Sequence, residues 1–188
     1  MSEEQMLKIT VGAPPKQING PVTLVDYDPA WPKLYELEAA RIKAALGEKA
    51  LQIEHVGSTS VPGLIAKPII DILLVVIDSA DEQSYVPLLE AANYTLRIRE
   101  PNWHEHRLFK GPDTNINLHV FSKGSAETER MLIFRDWLRG NSQDRNRYAK
   151  SKQKLAKRNW NYVQNYADAK SEVVESIIAR VRGQRNQS

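Results

Sequence analysis

One aspartate interrupts the apolar run Ile69-Ile70-Asp71-Ile72-Leu73-Leu74-Val75-Val76, and a Gly57-Ser58 pair stands upstream of it, beyond Pro62-Gly63 and Lys67-Pro68. The run is β-branched and apolar at successive positions, which predicts a central strand covered on both faces. A carboxylate buried there without a partner costs several kcal/mol, on the order of known desolvation penalties. Asp71 therefore needs a cation or strong donors. A turn of small residues exposes backbone N–H groups and a hydroxyl to an anion. Turn and acid together point to a site for a metal-bound phosphate ester rather than to ordinary core packing.

Around this pair the chain reads as one domain. Residues 1–20, with Gly12, Pro14, Pro15 and Gly20, are expected to form a flexible arm. Val22–Val25 suggests a short strand. Asp28-Pro29 opens a helix that apolar spacing carries to Leu46, where Gly47 stops it. Strands are predicted over 51–56 and 69–77, a helix over 82–92 that Pro87 weakens or breaks, and strands over 94–99, 107–110 and 115–121, the last two a hairpin across Gly111-Pro112-Asp113. From Ser125 the periodicity becomes helical, over 126–138, 145–158 and 162–182, with a frayed tail at 183–188. This predicts an α+β (α/β) mixed sheet flanked by helices, its sheet core at about 21–124 and a C-terminal helical layer at about 125–182.

The chain has no cysteine, which excludes disulfides, thiolate zinc sites and cysteine nucleophiles and fits a reducing cytoplasm. Its polar start, Met-Ser-Glu-Glu-Gln-Met, lacks the pattern of a secretory signal, and no apolar run approaches membrane-span length. A cytoplasmic protein without a membrane partner is expected. Net charge is +3, with −5 on residues 1–130 and +8 on 131–188. The basic third suits a phosphorylated ligand, or is a solvated helix surface. It lacks the aromatic-basic alternation that stacks bases, so nucleic acid is disfavoured as a partner.

Several stretches carry a resemblance: Val25-Asp26-Tyr27-Asp28-Pro29-Ala30-Trp31, Ile53 to Leu64, Lys67-Pro68-Ile69-Ile70-Asp71-Ile72, Leu118-His119-Val120, and Phe134 to Arg139. Through these the sequence resembles the GrpB family of small bacterial proteins, in the nucleotidyltransferase fold superfamily. The resemblance implies a nucleotidyltransferase-like sheet, a Gly-Ser turn gripping nucleotide phosphates, and divalent metal held by three acids. Gly57, Ser58 and Asp71 match that template. Leu73 stands where the second acid belongs, and His119, with Asn117 on the same strand parity, where the third is expected. The implied function is binding of a nucleotide or other phosphorylated small molecule, with transfer of a nucleotidyl group to a small acceptor. The alternative is a non-catalytic metabolite-binding or regulatory protein that kept the fold but lost the full set of metal acids.

The candidate residues follow. Gly57 and Ser58, with Thr59 and Ser60, form the phosphate cradle; alternatively they are a tight turn with a serine cap. Asp71 anchors a divalent cation (Mg, Mn or Zn) or sits in a structural ion pair. His55 and His119 complete a metal set with Asp71 if they converge on it, and either can serve as base to an acceptor. His104 and His106 share a face if their stretch is extended, and then contact substrate. Lys67 and Arg135 are cationic partners for a phosphate, Arg135 through bidentate bonds unless a neighbouring acid takes it. Lys150, Lys154 and Lys157 mark one side of a helix, read as a solvated face.

Overall fold

The computed structural model describes residues 1–185. Ser2 caps the first helix, α1 (Glu3–Ile9), in a reciprocal capping box with Gln5, and Met6 is buried at 4% exposure. The opening residues are thus a docked helix where a flexible arm was expected. The reason is one apolar side chain with a receiving surface elsewhere in the fold. Pro32 sits in the first turn of α2 (Trp31–Leu46), and Gly47 ends it at φ +55°. Strand β1 (Gln52–Val56) leads into one turn of 3₁₀ helix, Ser58–Ser60, and then β2 (Ile70–Val76).

Pro87 lies in the first turn of α3 (Val86–Ala91), and the preceding Glu82–Ser84 forms a separate 3₁₀ turn, so the helix expected over 82–92 comes as two pieces with the break that Pro87 implied. Strands β3 (Thr95–Glu100), β4 (His106–Lys110) and β5 (Ile116–Ser122) follow, then α4 (Ala126–Gly140), α5 (Ser142–Ala156), α6 (Val163–Ala169) and α7 (Ser171–Arg185). The helix expected over 162–182 is broken at Lys170 into α6 and α7. Of the expected frayed tail, 183–185 are helical and 186–188 lie outside the described residues. At 22–25 there is only one bridge, Val25 to Ala66, since Val22 and Leu24 pack against the cluster around Leu155 and Tyr166 instead.

The five strands make a mixed sheet in the order β1-β2-β5-β4-β3, with β2 parallel to β5 and the other neighbours antiparallel. Alternation along β2 sends Ile70, Ile72, Leu74 and Val76 to one face, where they form the main core with α2 and α3. Asp71, Leu73 and Val75 point to the other. There Leu73 and Val75 pack with Val56, Phe121 and α4 residues Met131 and Leu132. Helices α4, α5 and α7 bury Ile133, Leu138, Tyr148, Ile177 and Val181 in a second layer. The part of this face around Asp71 opens on a hollow.

Candidate functional site

Gly57 holds φ +68° and ψ −169°, a conformation that costs an L-residue strain. A methyl at its Cα would lie 2.9 Å from Asp71 Cβ and closer still to Oδ2. Only glycine lets the bend close over the acid. Gly57, Ser58 and Asp71 line one cavity of about 520 Å³, between the sheet and α1, α5 and α6. Asn117 donates to Asp71 Oδ1 at 2.8 Å, and His119 Nε2 lies 3.7 Å from the same oxygen. Burial pushes the Asp71 carboxyl up, but the His119 ring in its protonated form and the Asn117 amide outweigh it and hold the group below the usual carboxylate range.

The same cavity gathers cations. Lys67, Lys110, Lys152 and Lys170 line it together with Lys16 and Arg97, against Asp71 as the one carboxylate among the described residues there. Lys110 donates to Asn117 Oδ1 at 2.5 Å. Lys152, 2% exposed, donates to Ser58 Oγ at 2.9 Å and to the Ile65 carbonyl. Burial pushes the Lys152 amine down to about 6 and that of Lys67 to about 8, Lys170 adding repulsion to both and Asp71 opposing. Lys110 and Lys170 are lowered as well, by burial first. Lys67 and Lys170 lie 5.7 and 4.9 Å from the centroid of the Tyr166 ring, whose buried hydroxyl has no hydrogen-bond partner among the described residues. The cavity wall thus brings several amines, each lowered in basicity by burial, beside the Tyr166 hydroxyl.

Other candidates fall elsewhere. His55 pairs across the ladder with Ile72, whereas Val56 is opposite Asp71, so period-two alternation turns His55 to the opposite face. There it stacks on Tyr35 at 4.9 Å and bonds Thr59 Oγ1 at 3.0 Å, and burial pushes its imidazole down to about 4. The convergence of His55 with Asp71 and His119 does not occur. Thr59 is spent on His55 and Ser60 on the Gly57 carbonyl at 2.6 Å, so neither lines the cavity. Arg135 bonds Glu54 and Asp136, each at 2.7 Å, and the His55 carbonyl; it fastens α4 to β1, away from the cavity. His104 is exposed in a turn at φ +53°, so it shares no strand face with His106. His106 lies behind His119, its Nε2 at 3.0 Å from His119 Nδ1. Lys150, Lys154 and Lys157 are exposed, on a solvated face.

Lys110, Lys152, Tyr166 and Lys170 were missed from sequence. A signal existed for Lys152: it shares the buried stripe of α5 with Tyr148 and Leu155, where a lysine has no reason to be unless something receives its charge.

The donor set does not fit a divalent metal. Leu73 fills the next position on the Asp71 face, Asp71 is the only acid among the described residues that line a cavity ringed by lysines, and imidazole and amide are poor partners for magnesium. Among the described residues, no three His, Asp or Glu side chains come together to hold a metal ion.

The family description "GrpB protein" matches residues 21–180. The UPF0157 protein BH1888 of Halalkalibacterium halodurans is 64% identical over 179 residues, covering 95% of this chain and 91% of the relative. The UPF0157 protein SCO7215 of Streptomyces coelicolor is 43% identical over 167 residues, covering 87% and 88%. In three dimensions the chain is similar to the conserved protein GrpB from Enterococcus faecalis, with a TM-score of 0.68 and 30% identity over 82% of this chain and 99% of that one.

Proposed function

The chain belongs to the GrpB family, and we propose that it binds a phosphorylated small molecule, a nucleotide foremost, in the cavity between the Asp71 face of the sheet and helices α5 and α6. The observation that carries this reading is that Lys67, Lys110, Lys152 and Lys170 line one cavity with the Gly57-Ser58 bend, Lys152 bonding Ser58. Their mutual repulsion disfavours the empty cavity, and a ligand of two to four negative charges relieves it. Ser58 and Tyr166 add hydroxyl donors, and Lys67 and Lys152 take up protons as the anion enters. A divalent metal is no part of this reading, because the lysines replace the charge it would bring.

A second reading, transfer of a nucleotidyl group, is favoured by the placement of His119 Nε2 beside Asp71 at the cavity wall. Calorimetric titration with pyrophosphate and with ATP, in the presence of EDTA, tests the first reading. Saturable binding is expected, weakening with salt and falling about tenfold or more in Lys170→Met and Gly57→Ala. Absence of binding heat with both ligands sinks it. A product assay with ATP and candidate acceptors separates a ligand that is turned over from one merely held.

A further inference from the structure

Four side chains stand in line across the sheet: Glu100 Oε2 is 2.7 Å from His106 Nδ1, His106 Nε2 is 3.0 Å from His119 Nδ1, and His119 Nε2 is 3.7 Å from Asp71 Oδ1. The register dictates the line. Glu100 pairs with His106, and Leu108 with His119, so all four groups lie on the cavity face. The two imidazole rings have centroids 5.2 Å apart and planes within 19°. That separation, with a 3.0 Å nitrogen-nitrogen contact, makes them edge-to-edge in one plane, the geometry of a ring-to-ring hydrogen bond. Phe121 lies flat against His106 at 4.8 Å and Trp103 meets it edge-on at 5.4 Å, which leaves His106 one orientation and little water.

A carboxylate can only accept, so the proton on His106 that Glu100 binds is on Nδ1. Burial holds the His106 imidazole neutral, down to about 4, against the raising effect of Glu100. Its Nε2 is then bare and can only accept. We propose that Glu100 and His106 are positioning residues that hold the neutral His119 with its proton on Nδ1, and so present the bare Nε2 of His119 to the cavity beside Asp71 as the proton acceptor for a bound ligand. Nε2 takes one proton from a ligand hydroxyl or amine. The imidazolium so formed keeps Nδ1–H on His106 and sets its new N–H toward the Asp71 carboxylate. The orientation of His119 stands without any ligand; its use toward one rests on the phosphorylated-ligand reading above.

The test is long-range ¹H–¹⁵N correlation spectroscopy of the histidine rings in the intact chain, recorded from about pH 6 to about pH 9 and read from the neutral forms. The wild type is expected to show the Nδ1–H tautomer at both His106 and His119. Glu100→Ala removes the acceptor and is expected to move His119 toward Nε2–H, while Glu100→Gln, which keeps an accepting oxygen, restores the wild-type pattern. Neutral wild-type His119 in the Nε2–H form overturns the proposal on the wild-type protein alone, whatever the variants do. An unchanged His119 tautomer in a well-dispersed spectrum of Glu100→Ala overturns it too. Pyrophosphate at saturation should shift His119 Nε2 more than Nδ1, and the reverse order, with binding heat present, refutes the role toward ligand. Absent heat beside the predicted tautomers refutes the phosphorylated-ligand reading and leaves the orientation of His119 standing.

Discussion

Lys152 shows how far a single position departs from its residue type. Its ammonium sits 4.8 Å from the Tyr148 ring centroid and bonds Ser58 and the Ile65 carbonyl, while Lys67, Lys170 and Asp71 are the charges that face it. Burial brings its pKa to about 6, whereas an unfolded lysine stays near roughly 10.4. Between those values the unfolded chain binds a proton that the folded chain does not, so folding stability rises as pH climbs from about 6 to about 10. Denaturant melts should show the wild type gaining on Lys152→Met by about 2 kcal/mol or more between pH 6 and pH 9. Parallel pH profiles for the two proteins would contradict the buried amine. Gly57 is the complementary case, a position where the absence of a side chain makes the site: its φ of +68° and its contact with Asp71 leave no room for a Cβ.

Among the elements, α1 and α5 were the hardest to place from their own residues. Helix α1 buries only Met6 of its three apolar residues, Met6, Leu7 and Ile9, and a seven-residue helix is not stable alone. It is held by Met6 and by the link from Val11 N–H to the Arg97 carbonyl, and through Met6 and Thr10 it closes one side of the cavity. Met6→Ala should lower stability by about 2 kcal/mol in urea unfolding, by loss of buried volume. An unaltered midpoint would mean that α1 is not docked. Helix α5 reads as a polar surface helix because lysines and arginines dominate it, yet its buried stripe carries Tyr148, Lys152 and Leu155. Pro87 carried a local signal: it implied a break within 82–92, and it stands in the first turn of α3 behind a separate 3₁₀ turn.

At the scale of the molecule, an acidic sheet layer and a basic helical layer meet at the cavity, and each contributes part of its wall. No helix among the described residues is long and apolar enough to cross a membrane. A ligand bridging the two layers should slow amide hydrogen exchange in both, in β2 and β5 on one side and in α5 and α6 on the other. Protection confined to one layer on adding pyrophosphate would contradict a shared site. The mixed sheet, the helical layer and the Gly57-Ser58 bend beside Asp71 were legible in the sequence, because turn chemistry, strand alternation and an acid in an apolar strand are local signals. The lysine ring, the orphaned Tyr166 hydroxyl and the Glu100-His106-His119 line were not, since each joins residues far apart in the chain through strand register and helix packing. Local residue order dictates which backbone segments form and where an unpaired charge must find a partner. The identity of those partners comes from packing, because the face a side chain occupies depends on which strand lies beside it, and a one-residue change in register, such as that separating His55 from Val56, puts a candidate on the opposite side of the sheet.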